Sequence, residues 1–166
     1  MNLSPDEFLR RFSDDVSAGN AAIFAGAGLS IPAGFVDWRT LLREIAGDLK
    51  LHIDLETDLL AVAQYEYNRK RSRDSLNQAI LNRFAREGQM SQNHRLIARL
   101  PVDTIWTTNY DKLIEEAFRH AGRRVDVKSE VEQLAVHRRD TEVTLYKMHG
   151  DVDHPHHAVL TKDDFI

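Results

Sequence analysis

A short apolar run, Ala21-Ala22-Ile23-Phe24-Ala25, passes without a break into Gly26-Ala27-Gly28-Leu29-Ser30. The run reads as a buried strand that enters a loop bent by glycines. With no Cβ in the way at Gly26 and Gly28, backbone N–H groups can approach a phosphate closely. The plainer reading is a tight turn after a buried strand, and this loop alone does not choose between the two. Two later stretches give it weight: Thr107-Thr108-Asn109-Tyr110-Asp111 and Lys147-Met148-His149-Gly150-Asp151.

The pattern of elements sets the frame for all three. Ser4-Pro5-Asp6-Glu7 is a helix start, with a serine cap, a proline in the first turn and a glutamate that completes a capping box. Phe8, Leu9, Phe12 and Val16 follow at helical spacing, and Gly19-Asn20 ends that helix. After the glycine loop, Asp37 caps a helix of about three turns whose stripe is Trp38, Leu41, Leu42, Ile45 and Leu49. Helices over 55–68 and 75–86 and a short one over 93–100 come next, the last stopped by Pro101. Val102 to Thr107 is a strand, and Asp111 opens a helix closed by Gly122. Strands are predicted around Val125 and Val127, over Val143 to Met148, and at Val159-Leu160; one more helix starts at Thr161.

Strands alternating with helices predict a parallel sheet with helices on both faces, a Rossmann-like α/β fold. The helices that arrive without a strand between them, about 50–100, predict a helical insertion lying against the sheet. The 166 residues suit one domain. A helix beginning at the last residues predicts that 1–166 is the N-terminal part of a longer domain.

Composition removes several classes. There is no cysteine, which excludes disulfides, thiolate zinc sites and cysteine nucleophiles. A net charge of −4 gives no electrostatic case for nucleic acid. The basic run Arg69-Lys70-Arg71-Ser72-Arg73 is flanked by Glu66 and Asp74 and reads as a solvated helix end. No apolar run approaches the roughly 20 residues that span a bilayer. The acidic N-terminus lacks the form of a secretion signal, so a cytoplasmic protein is the expectation.

In open α/β sheets, ligands bind in the crevice at the carboxyl ends of the strands, where all three stretches are expected. Gly26, Ala27, Gly28 and Ser30 offer backbone donors. Ile31 stands where the common dinucleotide fingerprint has its third glycine, which argues against a hydride-transfer enzyme. Asn109 donates and accepts and Asp111 accepts, a pair suited to ribose hydroxyls or a carboxamide. Asp111 also serves as a helix cap, and the two roles are compatible. His149, beside Gly150, can exchange a proton near neutral pH; a lone histidine is often structural, but this one ends a strand and can face a crevice. The cluster His154, His156 and His157 is short and exposed, and no metal is expected there.

Taken together, the three stretches resemble the sirtuin (Sir2-like) family. Gly26-Ala27-Gly28-Leu29-Ser30 is similar to its GAG-x-S motif. Gly34-Phe35-Val36-Asp37-Trp38-Arg39 falls where sirtuins carry a G-I-P-D-F-R-like run. Thr107-Thr108-Asn109-Tyr110-Asp111 resembles T-Q-N-x-D, and His149-Gly150 the catalytic histidine with its glycine. Thr108 departs from the usual glutamine and Trp38 from phenylalanine. The four-cysteine zinc module of protein deacylases is missing. The similarity is therefore closer to Sir2-like domains of bacterial anti-phage defence systems, which hydrolyse NAD.

That resemblance implies NAD as substrate and no metal. It implies catalytic roles for Asn109 and His149, and binding roles for Gly26, Ala27, Gly28, Ser30, Asp37, Trp38, Arg39, Thr108 and Asp111. It also implies a homo-oligomer, with a HerA-like ATPase, a short Argonaute or a fused sensor region as partner. The alternatives are an NAD-dependent deacylase, a non-catalytic module that senses NAD or ADP-ribose, and a scaffold domain.

Overall fold

The computed structural model describes residues 3–136 and 138–165; Met1, Asn2, His137 and Ile166 lie outside them. Four parallel strands form one sheet: β1 (Ile23–Ala25), β2 (Thr104–Thr107), β3 (Val125–Lys128) and β4 (Val143–Lys147), in the order β1-β2-β4-β3. The helices are α1 (Pro5–Ser17), α2 (Ala27–Ser30), α3 (Trp38–Leu41), α4 (Arg43–Asp48), α5 (Leu59–Lys70), α6 (Asp74–Phe84), α7 (Gln92–Ile97), α8 (Leu113–His120) and α9 (Val131–Leu134).

The local signals act as expected. Ser4 Oγ accepts from the Glu7 N–H at 3.2 Å, and Asp37 Oδ1 accepts from the Thr40 N–H at 2.8 Å. The stripe that starts at Trp38 forms two helices because the backbone breaks at Leu42, whose ψ of 0° belongs to neither. Of the apolar residues of α1, only Val16 is buried; Phe8, Leu9 and Phe12 face outward.

Two cores divide the work. Ile105 and Leu145 of the sheet pack with Ile114, Ala117 and Phe118 of α8, and with Val16, Ala98 and Val102. The register lines up Ile23, Ile105, Leu145 and Val127 on that face, and Phe24, Trp106, Tyr146 and Lys128 on the other. On the latter row Trp106 stacks on Tyr146 at 4.1 Å, and α9 borders the groove beside them.

The second core belongs to the insertion. Leu42, Val62, Ala63, Leu76, Ile80 and Phe84 gather around Tyr110, Leu113, Val152 and Leu160, with no residue from a strand among the buried members. Residues 53–84 of the insertion therefore pack over the loops at the carboxyl ends of the strands, while Ala98 at its end joins the sheet core. Their partners there are the loop residues Tyr110, Val152 and Leu160 and the first residue of α8, Leu113.

The strand expected at Val159-Leu160 does not form. Leu160 is fully buried in the insertion core, and the Val159 N–H instead donates to the His149 carbonyl at 2.9 Å. The segment runs on into a short 3-10 turn, Lys162–Phe165, where Asp164 Oδ2 accepts from the Leu160 and Thr161 N–H groups at 2.9 and 2.7 Å. Arg73 binds the same Asp164 at 2.6 Å and the Ala158 carbonyl at 2.6 Å. Part of the basic run is thus structural: Arg73 ties this segment to the insertion, while Arg69 and Lys70 neutralise the buried Glu66.

Candidate functional site

The β1, β2 and β4 loops meet where the insertion covers the strand ends. Between them lies a cavity of about 550 Å³. Its polar lining is Ser30, Asp37, Thr108, Asn109, Asp111 and His149; its apolar lining is Val36, Trp38, Leu60, Phe84, Tyr110 and Phe165, with Ala27 at the glycine loop. A concave, mostly apolar pocket with a few convergent polar groups is the form of a small-molecule site.

Asn109 fixes the geometry of the first two loops. Its Nδ2 lies 3.0 Å from the Gly26 carbonyl and 2.9 Å from Ser30 Oγ. A carbonyl only accepts, so the nitrogen end of the amide must face Gly26. Oδ1 is left as the polar atom that Asn109 can offer to the cavity. The Asn109 N–H donates to Thr107 Oγ1 at 3.1 Å, which holds the residue in place from behind.

Ala27 and Gly28 are the first residues of α2, so no intrahelical carbonyl can accept from their N–H groups. Gly26 and Gly28 have no heavy atom within 4 Å of where a Cβ would sit, and neither has a positive φ. Glycine in a helix costs about 1 kcal/mol relative to alanine. Neither strain nor crowding inside the protein asks for glycine here. Open space above exposed N–H groups is what a phosphate needs.

His149 ends the β4 loop. Its ring lies 5.5 Å from the Trp38 ring and 5.9 Å, edge on, from Phe165. Nδ1 is buried without a partner, so Nε2 is the nitrogen available to the cavity. Burial lowers the pKa of the imidazole from its ordinary 6.5, so the ring is neutral at pH 7 and able to accept a proton. The next residue, Gly150, has φ +88°, and a Cβ there would lie 3.0 Å from Ala158 Cα. Only glycine lets the 157–159 segment pass this close and hold the loop.

The remaining sequence-predicted residues divide. Trp38 and Thr108 line the cavity with Asp37, whose carboxylate is spent partly on capping α3 and has its pKa lowered by that hydrogen bond. Arg39 does not line it: its guanidinium is bound to the Ile53 and Glu56 carbonyls and pins the insertion instead. Among the described residues no group of three or more His, Cys, Asp or Glu is arranged to hold a metal ion. His154 and His157 both turn toward Glu130.

Several participants were not anticipated. Val36, Leu60, Phe84, Tyr110 and Phe165 build the apolar wall; Val36 and Tyr110 lie inside the motif runs, with no site role read from the sequence. Lys147 is the largest omission. Its Nζ, on a side chain with no exposure, reaches the Tyr110 and Asp111 carbonyls at 3.2 and 2.7 Å, Glu115 Oε1 at 2.9 Å and Asp151 Oδ2 at 2.6 Å. Burial works against its charge, but Glu115 and Asp151 outweigh it and hold the lysine pKa above its ordinary value. The legible signal was a lysine at the inward position of a strand whose other inward residues are Val143 and Leu145.

A second cleft, about 570 Å³, runs along α8 and is lined by Arg119, Arg123, Arg124 and Arg138. Arg123 is committed to three backbone carbonyls, Arg124 to Asp140 and Arg138 to Asp126. Of the motif residues only Asp151 lines it, with its carboxylate bound to Lys147, and the strand-end cavity is the candidate site.

A parallel α/β sheet with a glycine loop, a carboxamide and an imidazole gathered at its strand ends defines a Rossmann-like α/β protein. Residues 103–166 match the family model of the SIR2-like domain. NAD(+) hydrolase ThsA of Bacillus cereus (strain MSX-D12) is 46% identical over 166 residues, covering 99% of this chain and 35% of that protein. NAD(+) hydrolase ThsA of Acinetobacter baumannii (strain 532279) is 41% identical over 155 residues, 93% of this chain and 32% of that protein. Defense-associated sirtuin 2 of Bacillus subtilis is 27% identical over 169 residues, 96% of this chain and 16% of that protein. Its C-terminal part is thus similar to the SIR2-like domain, and the chain spans about a third of the length of the ThsA relatives.

Removing the buried ammonium leaves Glu115 and Asp151 uncompensated. Lys147→Met is expected to cost about 3–5 kcal/mol of stability, read as a lowered midpoint in urea unfolding.

Proposed function

We propose that this chain is an NAD glycohydrolase domain, cleaving NAD into nicotinamide and ADP-ribose as the effector of an anti-phage defence that depletes NAD. The observation that carries the reading is the convergence of Asn109 and His149, forty residues apart in sequence, on one cavity at the carboxyl ends of the strands. The relatives named NAD(+) hydrolase support it.

In the proposed reaction the bond between the ribose C1′ and the nicotinamide nitrogen breaks, and its electron pair leaves with a neutral nicotinamide. Positive charge develops on the sugar, as in an oxocarbenium ion. Water adds to C1′ and gives up a proton. The pyrophosphate sits over Gly26, Ala27 and Gly28, whose backbone donors receive it. Asn109 Oδ1 orients the ribose or the attacking water. His149 Nε2 accepts a proton from that water or from a ribose hydroxyl, help of the kind worth about 10²–10⁴ in rate. Asp37, Trp38 and Thr108 line the nicotinamide-ribose side, and Asp111 receives the carboxamide. Arg39 acts through the insertion, which it anchors.

The reading extends to a cytoplasmic protein working as a homo-oligomer, triggered by a partner ATPase, a short Argonaute or a fused sensor region. Among the described residues no helix is long and apolar enough to cross a membrane. A deacylase reading lacks the cysteines of the usual zinc module, and a purely sensing module has no use for a neutral imidazole beside the amide.

Two outcomes are expected when nicotinamide release is followed with NAD under conditions where the wild type turns over. Asn109→Ala and His149→Ala each abolish release and keep the cooperative melt of the wild type; wild-type rates would contradict the assigned roles. In the wild type the reaction needs the unprotonated imidazole, so activity is lost as pH falls through a lowered pKa. The midpoint of the acid limb is therefore expected below pH 6.5, the ordinary histidine value.

A further inference from the structure

Behind the cavity lies a buried histidine that the proposed reaction does not use, near the cavity-lining carboxylate of Asp111. His94, on α7, is 1% exposed, and Asp111, at the head of α8, is 3% exposed. The two helices pack against each other. His94 Nδ1 accepts from the Ser91 backbone N–H at 3.3 Å and lies 2.8 Å from Ser91 Oγ. A backbone N–H can only donate, so Nδ1 carries no proton. In a neutral ring the proton is then on Nε2. Burial lowers the His94 pKa, the Asp111 charge working against it, and keeps the ring neutral.

That Nε2 is buried and has no hydrogen-bond partner. Asp111 is complementary to it. Oδ1 accepts from the Leu113 N–H at 3.0 Å, while Oδ2 is buried without a partner. One orphaned donor and one orphaned acceptor thus lie where α7 meets the start of α8, close enough for the Asp111 charge to act on His94. Buried polar groups in native proteins are paired, with each other or through an enclosed water.

We propose that His94 is a positioning residue for Asp111: its Nε2–H holds Asp111 Oδ2, directly or through one buried water, and fixes the carboxylate that lines the cavity. The proposal rests on the reading of that cavity as a nicotinamide dinucleotide site. Anchored at both oxygens, the carboxylate keeps a free lone pair on Oδ1 to accept from the carboxamide N–H₂ of nicotinamide. ADP-ribose has no such group, so its binding does not draw on the His94–Asp111 link. Ser91, through His94, thereby becomes part of the same rigid support.

Two measurements on the chain test this, one without a ligand. In ¹⁵N-histidine NMR, His94 should be the Nε2–H tautomer, with a slowly exchanging ring proton whose resonance moves in Asp111→Asn. Rapid exchange together with no response to that substitution overturns the pair. In titrations, His94→Phe should weaken NAD binding about tenfold and leave ADP-ribose within about twofold, and His94→Gln should bring NAD back to within about threefold. An equal loss for both ligands, or no rescue by glutamine, assigns His94 a merely structural role and overturns the proposal. If the wild type binds neither ligand, the dinucleotide reading fails, and the NMR result decides the pair alone.

Discussion

One buried ammonium sets the relation between the loops that carry the site. Lys147 Nζ joins the backbone at Tyr110 and Asp111 to the carboxylates of Glu115 and Asp151. The first pair belongs to the loop of Asn109, and Asp151 stands two residues after His149. Burying a charge is costly unless it is paired and fully hydrogen-bonded, and this one meets both conditions. Removing any partner strands the others, so the arrangement resists loosening. The distance between the amide and the imidazole is thereby set by the interior of the protein, and not by the flexibility of two loops.

The rest of the support follows from this clamp. Gly150 allows the 157–159 segment to lie against the His149 loop, and the Val159 N–H holds the His149 carbonyl. The Tyr110 hydroxyl donates to the Val159 carbonyl at 2.9 Å, tying the same segment to the Asn109 loop. Arg73 and Asp164 fasten it to the insertion, which supplies Leu60 and Phe84 to the cavity wall. Apolar walls surround much of a neutral imidazole. Electrostatic contacts to a developing sugar cation are stronger in such a setting.

The parts of this architecture written in local chemistry were legible in the sequence. Caps at Ser4, Asp37 and Asp111, the glycine loop, and the strand ends at Asn109 and His149 all depend on neighbours in the chain, and their spacing shows them. What escaped depends on contacts across long sequence distances. Val159-Leu160 has the apolar character of a strand, but the insertion core claims Leu160. Arg39 sits inside a motif that points to the ligand, yet two carbonyls of the insertion capture its guanidinium. Phe165 reaches His149 only because the Arg73–Asp164 pair brings the segment back. Lys147 looked like one more polar residue in a motif, although its inward register on β4 marked it as a charge in the core.

The account is tested most directly by a crystal structure of the chain with NAD or ADP-ribose bound. It requires the pyrophosphate over Gly26 and Gly28, with the ribose C1′ between the Asn109 amide and the His149 imidazole. A dinucleotide seated in the arginine-lined cleft along α8, or held at the strand ends with C1′ out of reach of both side chains, would contradict it.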